Sequence, residues 1–481
     1  MKPWVNAGFA VLMLIPLTTF ATSAAKHLDP TGVVIFWVTL IFLLGAIGQY
    51  IARRLNQPGV LGELLMGVFV GNLCYFLDMN LAVILREGSA IFNIVRDMLA
   101  GVPLEQAVNA SIPVPHDALP VIAALQASDG NDLIRVAYVV DIFSRYGVIF
   151  LLFMVGLESS IEELKHTGRE SFRVAVIGVV VPLVLGIGVM YCLLPSVSFK
   201  SDLFVAAALT ATSVGISARV LKEMKKLRTR EARTILGAAM IDDILGLIIL
   251  AVVSSIVVSG AVNLSQVTYL IVLAILFFAV TLWLGPIVLR YAIRFFSFLE
   301  LWEAKLFVTF IFVMGLAWLA SSVELATIIG AFSAGVIIHD GFFAGVADEK
   351  KGMMIQDLVR PFEAILAPMF FMLIGIQVKL ETFLNWQVLL LAAGLIFAAI
   401  LGKLLSGLGG SRRDDRLLIG IGMLPRGEVG LVFASIGSAL GVITDQIFSS
   451  IVLMVVVTTF VAPIWLKRRY VKKRVMHANQ S

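Results

Sequence analysis

The sequence predicts an all-α polytopic membrane protein of about thirteen transmembrane helices, built as an inverted repeat with two broken helices. Three observations carry this. Of the 481 residues, 59% are hydrophobic and only 14% are charged, against about 25% charged in ordinary soluble domains. Apolar windows of about twenty residues, the length that crosses a hydrocarbon core of ~30 Å, recur along the chain. Motifs of the first half also return in the second half, across an odd number of spans. This composition places the chain outside the soluble range and in a bilayer.

In order, the candidate spans lie near 33–51, 59–77, 139–157, 173–194, 203–221, 234–258, 268–289, 305–322, 324–340, 363–381, 387–407, 416–440 and 447–466. Their direction follows from charge, because Lys and Arg are retained on the cytoplasmic side. One set of alternate connections holds Arg53, Arg54, Lys165, Arg169, the run from Lys222 to Arg233, Arg290, Arg294, Lys350, Lys351, Arg412 and Arg413. The basic tail, 467–481, belongs to the same set. The opposite connections carry only Lys26, Arg86, Arg96, Arg135, Lys200 and Lys379. The first span therefore enters from outside, and the C-terminus lies in the cytoplasm of a cell whose inner (plasma) membrane holds the protein. The basic tail is read as an orientation signal, with no nucleic acid as partner.

Residues 1–25 combine Lys2, an apolar run from Ala7 to Leu17 and a small-residue end at Ala21–Ala25, the three parts of a signal peptide. A cleaved signal peptide leaves the N-terminus outside, as an odd span count requires; the alternative is an extra N-terminal helix. The membrane domain then covers 31–470. Its one long insertion, 79–138, falls on the outer face, and its helical periodicity suggests amphipathic helices lying on the membrane surface. Cys74 and Cys192 are too few for a disulfide framework and lack the spacing of a metal site.

Gln57–Gly71 (QPGVLGELLMGVFVG) is matched by Leu325–Ile338 (LATIIGAFSAGVII), and Phe153–Glu158 (FMVGLE) by Phe371–Gln377 (FMLIGIQ). The first copy runs outward and the second inward. Interrupted helices at equivalent positions of inverted repeats mark ion sites in transporters. The equivalent pair here is Ala211–Ser217 (ATSVGIS) and Met423–Gly430 (MLPRGEVG). Both are expected to unwind near the midplane, where freed backbone is tolerated only against protein or a wet cavity.

The charges inside the spans are few. Asp242 and Asp243 sit within GAAMIDDILGLIIL, and each Asp at the centre of a membrane helix costs roughly 2.5–3.5 kcal/mol on insertion scales. Successive helical residues point about 100° apart, so the two acids need different partners. Lys403, in AAILGKLLSG, either snorkels to the cytoplasmic surface or reaches inward to pair with one of them. Arg426 and Glu428, in the second broken segment, form an internal ion pair on this reading. Thr212 and Ser213 supply oxygen ligands suited to a hard alkali cation.

The motifs QPGVLGELLMGVFVG, LLFMVGLE, ALTATSVGIS, GAAMIDDILGLIIL, PMFFMLIGIQV, ILGKLLSG and GMLPRGEVGLV, taken in order over about 57–457, resemble the monovalent cation/proton antiporter superfamily, in its bacterial sodium/proton branch with the Asp-Asp motif. The resemblance implies the sodium/proton antiporter fold, with a core domain that moves like an elevator against a dimerisation domain, and a homodimer in the lipid bilayer. It implies that Asp243 binds the cation (sodium, lithium or potassium) or the proton, while Asp242 pairs with Lys403. It also implies electrogenic exchange, no cofactor and no metal beyond the transported alkali cation. The long outer insertion departs from the family pattern. A potassium/proton exchanger is the alternative, ahead of a channel or a membrane sensor on the same scaffold.

Overall fold

The computed structural model describes residues 31–478 except 56, 89, 113–114, 159–167, 214–215, 218–219, 222–223, 225, 227–228, 260–263, 324, 344–352 and 427. The segment 1–25 and the side chains of the basic tail beyond Tyr470 lie outside this description. Among the described residues every regular element is helical, as a bilayer demands of a chain that must satisfy its backbone internally.

The elements are α1 (Thr31–Arg54), α2 (Gly59–Phe76), α3 (Asn80–Arg86), α4 (Ala90–Leu99), α5 (Leu104–Ser111), α6 (Pro115–Gln126), α7 (Gly130–Glu158), α8 (Arg169–Leu193), α9 (Phe199–Ala208) and α10 (Arg230–Ser259). They continue as α11 (Leu264–Phe295), α12 (Leu301–Ser322), α13 (Thr327–Ile337), α14 (Ile355–Ile376), α15 (Trp386–Ser406), α16 (Arg416–Gly422), α17 (Glu428–Ala439) and α18 (Asp445–Ala478). All thirteen predicted segments have counterparts. Among the described residues, ten are helices long and apolar enough to span a bilayer. The segment at 324–340 contains only the 11-residue α13, because its apolar window extends past both helix ends. The segments at 203–221 and 416–440 are broken.

Local chemistry sets several of the starts. Asn385 and Asp415 accept backbone N–H bonds from Gln387 and Leu418 at the heads of α15 and α16, and Glu300 with Glu303 forms a capping box on α12. Such caps satisfy donors that a helix start leaves orphaned.

The chain divides into two units. The first comprises residues up to Arg145 with Pro368–Gln377, and the second comprises Tyr146–Ala367 and Val378–Ser481. In the first unit the outer insertion does form helices, but their apolar faces are used inside the protein. Ile84, Ile91, Ile94, Val108, Val121 and Ala124 are buried in one core with Val136, Val140, Met369 and Met372. Arg86, 2% exposed, lies with its guanidinium over the Tyr75 ring at 3.9 Å and donates to Asn72 Oδ1.

The repeat is visible as one contact made twice. In the first unit Gly67 and Gly375 bring α2 and α14 together so closely that a Cβ on Gly375 would stand 2.8 Å from Gly67 Cα and against the Leu64 carbonyl. In the second unit Gly156 and Gly335 do the same for α7 and α13. A Cβ on Gly156 would stand 3.0 Å from Gly335 Cα and against the Phe332 carbonyl. Leu64 and Phe332 each precede their glycine by three residues. Each repeat's second-span motif thus packs on the other repeat's FM-motif, through small residues that let backbones meet.

The second unit also contains α8 packed along α15, with Pro182 against Gly402. An aromatic core joins Phe150, Phe153, Phe312 and Phe343.

Candidate functional site

The site grows out of the two interruptions. The first chain leaves helix at Leu209, runs unwound through Ala211–Ser213 and resumes helical turns at Ile216. The second leaves helix at Met423 and stays unwound through Leu424–Arg426, where Pro425 has no N–H to continue the ladder. Four hydrogen bonds join the breaks. Ser213 N donates to Pro425 O at 2.9 Å, Thr212 Oγ1 to Met423 O at 3.3 Å, Ser217 Oγ to Gly422 O at 2.6 Å and Arg426 Nη1 to Ala211 O at 2.5 Å. Each break therefore satisfies polar groups that the other frees, which is what permits unwound backbone in a dry interior.

Beside this crossing, α10 presents Asp242 and Asp243, 0% and 3% exposed. Lys403, near the end of α15, is fully buried and donates from Nζ to Asp242 Oδ1 at 2.9 Å. It does not snorkel. Gly178 of α8 makes room for it, since a Cβ there would stand 3.4 Å from the Lys403 amine. The Thr212 hydroxyl interacts with the Asp242 carboxylate as well.

Arg426 is the largest fully buried side chain among the described residues. Its charge acts on both Asp242 and Lys403, and Asp243 acts on Lys403. Two acids and two bases thus share one water-poor cluster. Among the described residues, Nε and Nη2 of Arg426 have no hydrogen-bond partner. The Glu428 side chain lies outside the described residues, so the ion pair expected from sequence falls outside them too.

The sequence brought six described residues to this place: Asp242, Asp243, Lys403, Thr212, Ser213 and Arg426. It missed the reach of Arg426 across the breaks and the two hydroxyls that hold them. Ser217 is one of these. Thr459 of α18, which donates to the Arg426 carbonyl, is the other. A hydroxyl in an apolar span was the available signal for Thr459, but it does not say which carbonyl is reached.

A family model described as sodium/hydrogen exchanger, transmembrane, matches residues 38–472. The chain belongs to this family. Among curated relatives, the high-affinity Na+/H+ antiporter NhaS3 of Synechocystis sp. is 35% identical, with 94% of each chain covered. The Na+/H+-K+ antiporter GerN of Bacillus cereus is 33% identical over 92% of this chain and 98% of that one. The sodium proton antiporter MjNhaP1 of Methanocaldococcus jannaschii shares the fold, with a TM-score of 0.56 at 17% identity over 92% of this chain and 98% of that chain. The all-α, multi-pass architecture expected from the sequence is therefore that of the exchanger family, as is the place of the chain in its bacterial branch.

Proposed function

We propose that this chain is a secondary antiporter that exchanges a monovalent cation, sodium first, for protons, with Asp243 as the group that carries either load. The observation that supports it most is the buried Lys403–Asp242 pair at 2.9 Å beside two crossed unwound segments. A lone carboxylate pair would be too costly at this depth; two bases make it tenable.

A carboxylate that binds a proton or a cation, never both, links the two fluxes through one site. Asp243 is offset from Asp242 by about 100° around α10, so the two can act differently: Asp242 holds Lys403 while Asp243 meets the cargo. Thr212, Ser213 and the carbonyls freed by the breaks provide oxygen for a hard alkali ion. With both acids and both bases ionised the cluster is neutral. A sodium ion bound at Asp243 adds one positive charge, which departure of the Lys403 proton would cancel. Asp243 also gives up its own proton to take the sodium, so two protons leave for one sodium and one net charge crosses per turn, worth about 2.3 kcal/mol per 100 mV.

The asymmetry of Lys and Arg among the connections supports a cytoplasmic C-terminus in the inner membrane, and the family resemblance supports a homodimer with an elevator-like core. Potassium is the second candidate cargo, because the name of GerN includes it. The test is proton flux in inside-out vesicles offered sodium, lithium and potassium in turn. Flux driven by at least one of them is expected, and none with any of the three would refute the exchange reading.

A further inference from the structure

The last helix ends in a two-pronged grip that cation exchange, as described above, leaves unused. Arg469 donates from Nε to Asp415 Oδ2 at 2.9 Å and from Nη2 to Asp415 Oδ1 at 3.0 Å, the bidentate fork that makes Arg–carboxylate pairs strong and directional. Asp415 is the N-cap of α16, accepting Leu418 N at 3.1 Å. The next residue, Tyr470, shares a hydrogen bond with Thr229 Oγ1 at 3.2 Å. Thr229 in turn accepts Ala232 N at 3.3 Å at the head of α10. Two consecutive side chains of one helix thus hold the caps of the two elements that lead into the site. α16 runs to the break at Met423–Arg426, and α10 runs to Asp242 and Asp243.

The grip is reinforced on both sides. The α10 and α16 starts are tied directly by Arg230 with Asp414 at 3.4 Å, and Leu466 and Tyr470 are buried with Ala232, Leu418, Ile421, Val220 and Leu221. Further up α18, Thr459 holds the Arg426 carbonyl, so α18 holds the α16 segment at both ends. Pro463 lies between the two grips. It has no N–H for the Thr459 carbonyl, which makes it the point where the helix can flex.

We infer that Arg469 and Tyr470 are positioning residues for cation binding: by fixing both caps they set the register of α10 against α16, and with it the spacing of the aspartates from the second break. The inference rests on the exchange reading. Binding constellations must be held within about 0.5 Å of their productive geometry, so a loosened register acts on affinity before it acts on turnover.

The test uses the full chain reconstituted in proteoliposomes, with sodium-driven proton flux measured over a range of sodium. Arg469→Gln removes the fork. Asp415→Asn keeps the cap, since Asn caps as well as Asp, but loses the charge that Arg469 reads. Both variants are expected to raise the apparent KM for sodium about three- to tenfold with maximal flux within about twofold. Arg469→Lys should recover part of the loss, the double variant should be no worse than either single one, and Tyr470→Phe should shift KM less. Unchanged KM in both single variants would overturn the inference. So would a fall in maximal flux and Tm together at constant KM, which a purely structural grip would give. If the unsubstituted protein moves no protons with any cation, the exchange reading itself fails and takes this inference with it.

Discussion

Gly67 against Gly375 and Gly156 against Gly335 are the same crossing built in each unit, with the same three-residue offset to the carbonyl each glycine accommodates. The two breaks occupy equivalent places in the two repeats and are chemically unlike. The first, Leu209–Ser213, contributes hydroxyls and carbonyls and carries no charge. The second, Met423–Arg426, contributes a proline and a buried guanidinium. Their neighbours differ in the same sense: α10 brings two aspartates to the crossing, whereas α18 brings the Thr459 hydroxyl. Where the contacts only have to let helices approach, the repeat has kept its symmetry. Where they handle charge, it has lost it. An ion site needs acids on one side and compensating bases on the other, and a perfectly symmetric repeat would have put acid against acid.

The largest test of this comparison falls on the charges. Lys403→Gln leaves Asp242 without its base in the interior, and breaking a buried pair by removing one partner costs about 3–5 kcal/mol. A large drop in Tm is expected, with loss of exchange. Adding Asp242→Asn removes the stranded charge and should restore most of the stability. On the proposed mechanism it should also restore flux, without the sodium-driven current. Equal Tm values for the single and double variants would show that the pair is not what makes Asp242 tolerable.

The glycine crossings come next. Gly375→Val and Gly156→Val each force a branched side chain into a backbone, and overpacking of this kind costs about 1–3 kcal/mol. Because the contacts are equivalent, the two losses of stability should match within about 1 kcal/mol. A loss at one site and none at the other would break the symmetry argument. The smallest effect is expected at the first break. Thr212→Val or Ser213→Ala removes one oxygen with little change in bulk, and apparent cation KM should rise several-fold, about 1 kcal/mol, with maximal flux changed less. An unaltered KM in both would place the cation elsewhere.

Much of this was legible in the sequence, and for a physical reason in each case. Charge in an apolar span is so expensive that Asp242, Asp243 and Lys403 announce themselves, and Pro425 and the Thr/Ser/Gly run of Ala211–Ser217 announce the breaks. The glycine motifs gave the repeat, but not that each packs on the other's partner. Periodicity showed that residues 79–138 form helices with an apolar face; it could not say what covers that face, and Ile84, Ile94 and Val121 turn out to be covered by protein. The grips of Arg426, Ser217, Thr459 and Arg469 were not legible, because each joins residues more than thirty positions apart through one or two hydrogen bonds to a backbone or a cap.

The most direct test of the account is Asp243→Asn in reconstituted protein, read as cation-driven proton flux. The substitution keeps the shape of the side chain, replaces one acceptor oxygen with an amide NH2 donor, and removes the group that alternates between proton and cation. A folded protein with Tm close to the parent and no exchange with sodium, lithium or potassium is predicted. Undiminished flux in the same folded variant would contradict the assignment of Asp243 as the exchanging group.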